Sequence, residues 1–389
     1  MPLLEIQLSP EYSLVIEEQI DAIGEQQWSA INPQLPFFQT FQFLKAIEYL
    51  QTEITFRYVL VLKNKQVLAI LYFQVFDFSY SNLVKYNNEN STGLKNKFKK
   101  IIAKKKVRLL NLGNIFFTGD KGVICNDENQ VLPFVPTVIK YCRETFATQK
   151  PNAFLVANIT LQNTNNCKHF GKNNFHSFTT EPDVYMQINK QWNTYTDYLN
   201  ALSSKYRVRA NKVRNSAKNV YKKTLSLAEI TTYKQDINHL YNNVVNHVAF
   251  NMAVLNIDFF EKMKAMYGNS CTINAYFLED KLIGFACIFD IDKQTLHIHY
   301  IGLDYALNQQ YKLYNNMLLD FVEHAILHKK QQIHFGRTAT EIKTTVGAQP
   351  YPLQAYLKMN NSLLNASLPY FLNRIKPPEY TVRNPFREI

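Results

Sequence analysis

Acidic residues are missing from two long stretches of this 389-residue chain: none falls between Glu89 and Asp120, and none between Asp197 and Glu229. Cysteine is scarce as well. The five present, Cys125, Cys142, Cys167, Cys271 and Cys287, are odd in number, widely spaced and without a C-x-x-C pair, which excludes a disulfide framework and a cysteine zinc site. Of the nine histidines, His324 and His328 stand four apart in Val322-Glu-His-Ala-Ile-Leu-His-Lys329; they read as the polar edge of a helix rather than a ligand pair, and no metal is expected. The longest apolar runs, Tyr58–Leu62 and Val67–Phe73, fall far short of the ~20 residues of a membrane helix. The start, Met1-Pro-Leu-Leu-Glu-Ile, lacks the basic and apolar regions of a signal peptide, so a cytoplasmic address is expected.

What is present is apolar residue enough for packed cores, 46% hydrophobic and 14% aromatic, with a net charge of +12. The length suggests two domains. The charge implies an anionic partner, and it is concentrated in the two acid-free stretches. The first holds Lys95, Lys97, Lys99, Lys100, Lys104, Lys105, Lys106 and Arg108; interrupted by Gly93 and with little periodicity, it reads as a mobile basic loop. The second holds Lys205, Arg207, Arg209, Lys212, Arg214, Lys218, Lys222 and Lys223. There Leu199, Leu202, Tyr206, Ala210, Val213, Ala217 and Val220 fall within one arc of roughly 80° at 100° per residue, which predicts one helix with a core-facing stripe. Tyr206 and Tyr221 are expected in the core. The cations flank the stripe and suit a phosphate-rich ligand; the other reading is a solubilised surface helix.

The stretch Ile333-His-Phe-Gly-Arg-Thr-Ala-Thr-Glu-Ile-Lys-Thr-Thr-Val-Gly347 has the form of a site. It predicts a strand ending at Phe335, a turn at Gly336, and a short helix with a Thr338–Glu341 capping box and Gly347 as its C-cap. Arg337, where strand becomes loop, is placed to hold phosphate or carboxylate together with free N–H groups of that helix. Lys343 is either a second cation of the same site or a solvated helix residue. Glu341 serves the cap.

Along the chain, a hairpin over Arg57–Lys63 and Gln66–Phe76, a strand Val107–Leu112, a helix near 133–146 and a strand Ala153–Ile159 precede a polar passage through Glu181-Pro-Asp. After it come helices near Lys234–His247 and Ile257–Tyr267, and a meander Thr272–Leu278, Leu282–Phe289 and Thr295–Ile301. A long helix from about Gln309 to His328, the strand into Gly336 and a last strand Leu353–Leu357 complete the order. The two halves, 1–185 and 186–389, read as diverged copies of one unit.

The runs Trp192…Tyr198-Leu-Asn-Ala-Leu-Ser-Ser-Lys-Tyr-Arg-Val-Arg209, His299-Tyr-Ile-Gly-Leu-Asp304 and Phe335-Gly-Arg-Thr-Ala…Glu341-Ile-Lys…Val346-Gly-Ala348 are similar to bacterial tandem GNAT proteins related to the Fem aminoacyltransferases of peptidoglycan bridge synthesis. Upstream, Phe37-Phe-Gln-Thr-Phe-Gln-Phe-Leu44 and Leu112-Gly-Asn-Ile115 extend the likeness. The resemblance implies an α/β (α+β) fold: two GNAT-like domains with mixed, largely antiparallel sheets flanked by helices, the first half degenerate. It also implies acyl transfer from an activated donor, acyl-CoA or aminoacyl-tRNA, to an amine, with no tightly bound cofactor. The sequence departs from the ordinary GNAT pattern at Gly302-Leu-Asp-Tyr-Ala-Leu-Asn-Gln-Gln-Tyr-Lys-Leu-Tyr314, which lacks the closely spaced glycines of a pyrophosphate cradle.

His297 and His299 share a strand face, and His299 is the candidate base, Asp304 its orienting acid or the start of a turn, and Arg337 the oxyanion holder. Lys205, Arg207, Arg209, Arg214, Lys312, Gly336 and Lys343 are the candidate donor-binding residues. The alternatives are a Fem-type aminoacyl-tRNA-dependent ligase of cell-wall precursors and a catalytically silent module that binds nucleic acid or anionic membrane.

Overall fold

The computed structural model describes residues 2–32, 35–79, 106–160, 168–248, 252–290, 292–375 and 377–387. Most of the first basic segment therefore lies outside the described residues; Arg108 is described, on a strand and paired with Asp77. The chain forms two compact units: residues 1–180, 249–255 and 352–377 make the first, and residues 181–248, 256–351 and 378–389 the second. A single cut after residue 185 thus describes the chain only coarsely, because two later segments return to the first unit.

Both units are built on the same strand plan. In the first, β1 (Leu4–Gln7), β2 (Tyr12–Glu17), β3 (Thr55–Lys63), β4 (Gln66–Ser79) and β5 (Lys106–Leu112) pair antiparallel in that order. A short β6 (Val123–Cys125) adds to β4. β5 then runs parallel to β7 (Ala153–Thr160), which pairs antiparallel with β14 (Gln349–Met359). In the second, β9 (Val220–Thr224), β10 (Cys271–Leu278), β11 (Lys281–Asp290) and β12 (Thr295–Leu303) are antiparallel; β12 is parallel to β13 (Gln332–Gly336), and β13 antiparallel to β8 (His176–Gln187). Each unit has one parallel pair in an otherwise antiparallel sheet, the mixed α/β plan expected of a duplicated GNAT-like unit. The meander was legible because alternating apolar residues and polar turns leave one register that buries a whole face.

The sheets are covered by helices whose apolar faces match. In the first unit Val135, Val138, Ile139 and Cys142 of the Val135–Glu144 helix pack on Val59, Val61, Phe73 and Leu110. In the second, the Leu313–Leu327 helix is apolar on most sides and accordingly buried, with Met317, Phe321, Val322 and Ala325 against Ile288, Leu296 and Ile333. This helix does not run unbroken from Gln309. Lys312, at φ +49°, separates it from a Tyr305–Tyr311 helix. The break is held by Asn316, whose side-chain amide donates to Val213 O at 2.9 Å and Tyr311 O at 3.2 Å.

The basic helix is also shorter than its periodicity suggests. A Tyr195–Ala201 helix with a Thr194–Asp197 capping box stops at Leu202, a second helix spans Ser204–Ser216, and Val220 to Thr224 form an edge strand. Ala210 and Val213 do reach the core. Tyr206 is only partly buried, and Tyr221, expected in the core, is 61% exposed on β9 because the stripe's helical phase ends before it.

Candidate functional site

β12 and β13 pair through three rungs only, ending at His297 beside His334. Beyond that rung β12 continues to Leu303 while β13 turns at Gly336, φ +65°. The two histidines of the last rung bond one another, His334 Nδ1 lying 2.7 Å from His297 Nε2. The other ring nitrogen, His334 Nε2, is 2.6 Å from Asp183 Oδ1 on β8. With His334 Nε2–H donated to the carboxylate, one of the two facing nitrogens, His334 Nδ1 or His297 Nε2, carries the proton of the bond between the rings. Tyr185 stacks flat on His334 with ring centroids 4.2 Å apart and donates its hydroxyl to Asp183 Oδ2 at 3.2 Å.

This Asp183–His334–His297 chain is buried. Burial works against the Asp183 carboxylate, but the hydrogen bond and charge of His334, with Arg337 and Tyr185, hold its pKa below the usual value. Burial, with His334 and His299 adding to it, drives His297 well below the usual histidine range, so it stays neutral. A depressed folded-state pKa means that the unfolded chain binds the proton first, so stability falls as pH drops below the unfolded value of about 6.5. The melting temperature is therefore expected to decline from near that pH downward, and the decline between roughly pH 6.5 and 5 should flatten in His297→Phe. An unchanged slope in that variant would remove His297 as its source.

Arg337 sits one turn beyond His334. Its Nε and Nη2 atoms are enclosed and have no hydrogen-bond partner. Burial pulls its pKa down, opposed by Asp183, Glu181 and Tyr185. Lys343 is neither a second ligand cation nor a solvated residue. It is 3% exposed, and its Nζ donates to the carbonyls of Phe335 at 2.8 Å, Gly336 at 3.3 Å and Arg337 at 2.6 Å. Burial lowers its pKa to about 7, against the pull of Asp183 and Glu181. The lysine ties down the turn that carries Arg337.

The expected capping box is absent. Thr338 and Ala339 take left-handed conformations, φ +64° and +47°, and the helix is only Thr340–Thr344, with Ala339 at its N-cap and no side-chain cap bond. Glu181 accepts the Thr338 N–H instead, and Glu341 is taken by Arg383, at 2.5 Å from Nη2, and by the Thr381 N–H. Gly347, φ +107°, lies past that short helix. A side chain there would meet the Phe386 ring at 2.4 Å, so its glycine makes room for the returning C-terminal segment. Beside the turn opens a cavity of about 570 Å³, lined among others by Lys205, Tyr206, Arg209, Glu181, Tyr380 and Arg383.

The other candidates separate. Asp304 is the N-cap of the Tyr305–Tyr311 helix, its Oδ1 accepting from Ala306 at 3.1 Å and Leu307 at 3.4 Å, and it pairs with Lys281. It lies roughly 17 Å along the strand from His299 at the rise of extended chain, so the turn reading holds and it orients no histidine. His299 occupies a bulge opposite β11, between the Ile298–Ile288 and Tyr300–Cys287 pairs. Arg214 is engaged within the fold, 2.5 Å from Asp320, 3.0 Å from Glu323 and over the Tyr195 ring. Of the basic helix, Lys205 and Arg209 face the cavity. Lys312 is spent as the left-handed junction and its side chain is exposed. Arg207, half-buried, is not among the cavity's lining residues. Asp183 and His334 were the residues that sequence reasoning missed; the only sign was the polar Glu181-Pro-Asp tract, which reads as a turn.

Two units of one mixed strand plan, each with a single parallel pair in an otherwise antiparallel sheet, define a tandem GNAT-like fold. The profile of the FemAB-like family, described as peptidoglycan biosynthesis/recognition, matches residues 123–384, and the chain belongs to that family. Among solved structures, FemX aligns at a TM-score of 0.51 and 10% identity, over 93% of this chain and 99% of FemX. A tandem GNAT protein from the clavulanic acid biosynthesis pathway aligns at 0.47 and 9% identity, over 79% of this chain and 84% of its own. L-PGS from Bacillus licheniformis aligns at 0.45 and 9%, over 85% and 90% respectively. No curated protein sequence matches the chain.

Proposed function

We propose that the second unit transfers an aminoacyl group from aminoacyl-tRNA to the amine of a peptidoglycan precursor, with Arg337 at the reacting centre. The observation that carries this reading is the Arg337 guanidinium, enclosed with two unpartnered nitrogens behind a cavity that the next residues of its turn, Thr338 and Ala339, line together with Lys205, Arg209 and Arg383, Arg337 itself not being among the lining residues. Buried donors left unpaired are costly unless something else satisfies them, and a carbonyl oxygen that gains charge during reaction is such a partner. The acceptor nitrogen adds to the ester carbonyl and forms the C–N bond. The C–O bond to the terminal ribose then breaks, the amine gives up a proton, and the ribose oxygen takes one up.

Acyl-CoA is disfavoured as donor by Asp304. The N–H groups at the start of the Tyr305–Tyr311 helix, where a pyrophosphate would be cradled in an ordinary GNAT protein, are bonded to its carboxylate, which also repels a diphosphate. Cations and carboxylates are mixed around the cavity: Lys205, Arg209 and Arg383 against Glu181, Glu341 and Glu379. Such a lining suits a donor with an ammonium and phosphates.

Thermal unfolding tests the donor. Aminoacylated bulk tRNA should stabilise the protein, by ~2.7 kcal/mol at a hundred times its dissociation constant, whereas acetyl-CoA and long-chain acyl-CoA should not. In Lys205→Gln with Arg209→Gln, the slope of log affinity against log salt should fall by about 1.4, at about 0.7 per single-strand phosphate contact. Stabilisation by acyl-CoA alone would overturn the donor, and stabilisation by neither would overturn the transfer function.

A further inference from the structure

The Ser362–Leu372 helix of the first unit turns large apolar side chains outward: Leu363 is 81% exposed, Leu364 54%, Tyr370 61% and Phe371 45%. The helix is nevertheless fixed. Asn365 is buried, its side chain donating to Asn174 O at 2.9 Å and accepting the Met359 N–H at 2.8 Å, and Leu368 and Leu372 pack inward. Arg374 lies 3.7 Å over the exposed Tyr370 ring.

The segments that form and hold this helix carry charge of one sign: among the described residues, 352–375 contain Lys358 and Arg374 and no acidic residue, and 168–180, to which Asn365 is bonded, contain Lys168 and Lys172 and none either. A patch of exposed leucine and aromatic residues is costly in water. With Arg374 on the Tyr370 ring and Lys358 on the adjoining strand, it has the composition of an interfacial helix: apolar side chains for the acyl boundary, and tyrosine and arginine for the headgroup level.

We propose that this face docks the protein on the surface of an anionic lipid bilayer, with Leu363, Leu364 and Phe371 entering the headgroup boundary and Lys358 and Arg374 meeting lipid phosphates. No helix among the described residues is long and apolar enough to cross a membrane, so the attachment is peripheral. A second copy of the chain fits the face less well, because a twofold contact about this helix would bring Arg374 toward its own copy. The proposal does not depend on the donor assigned above.

Co-sedimentation of the full chain with vesicles tests it. The protein should partition onto equimolar phosphatidylcholine–phosphatidylglycerol vesicles and at least about tenfold less onto phosphatidylcholine alone. Leu363→Glu with Phe371→Glu should lower partitioning on the order of a hundredfold at an unchanged melting temperature, since both side chains are exposed. Lys358→Gln with Arg374→Gln supplies an independent reading, a loss of salt dependence with the apolar face intact. Equal partitioning of wild type and the Glu variant, or no partitioning onto anionic vesicles, would overturn the proposal. So would a wild type that is dimeric without vesicles and becomes monomeric in the Glu variant, which would assign the face to a second copy.

Discussion

Replacing Arg337 with lysine is expected to leave a folded protein whose transfer activity has dropped on the order of a hundredfold. Lysine keeps the charge that faces Asp183 and Glu181 but offers no planar fork, so it cannot place Nε–H and Nη2–H together on a developing oxyanion. Arg337→Ala should be worse in both respects, because Asp183 and Glu181 would also lose a cation. The competing view makes Arg337 a tie to those carboxylates only. Activity would then fall in step with melting temperature, and little in Arg337→Lys. Melting temperature and turnover measured on the same preparations separate the two, and normal turnover in a stable Arg337→Lys protein would sink the catalytic role.

Lys343→Met should lose about 1–3 kcal/mol of stability, the cost of leaving buried hydrogen-bonding groups without their partner. Three carbonyls, those of Phe335, Gly336 and Arg337, converge on Nζ. Methionine fills the volume and leaves all three without that donor, while Asp183 and Glu181 lose a neighbouring cation. The turn then has less to hold Thr338 and Ala339 in left-handed conformations that cost of order 1–3 kcal/mol each. Urea unfolding at neutral pH measures the change as a lower midpoint at a similar slope. A loss under about 1 kcal/mol would mean that water satisfies the carbonyls and the lysine is dispensable to the turn.

The comparison of sequence with structure turns on where a residue's partner lies. The meander β10–β12 and the Lys234–His247 helix were legible because their signals are local: alternation, turn residues and helical spacing within a dozen positions. The position of Arg337 was legible for the same reason, a strand followed by glycine. Its chemistry was not. The Thr338–Glu341 pattern fits a capping box, but Arg383, 42 positions later, competes for the same carboxylate, and Glu181 takes the Thr338 N–H. Lys343 was ambiguous because its partners are backbone carbonyls, which leave no trace in residue identity. Asp304 and Arg214 were placed with the ligand site because an isolated acid or cation looks alike whether it caps a helix, closes an ion cluster or binds substrate. The break at Lys312 was hidden because the helical spacing continues on both sides.

Asp183 and His334 are 151 positions apart, and that separation says when the site can exist. Closing so long a loop costs about 2.4 kcal/mol more chain entropy than closing one of roughly ten residues, and the parallel β12–β13 pair requires its helical crossover to be folded before the strands can meet. The hairpins of the meander have no such requirement. A partly folded chain can therefore hold most of the second sheet and still lack the carboxylate that orients the histidines, so transfer competence arises only with the completed fold, and intermediates exposed during synthesis or refolding carry the cations without the chemistry.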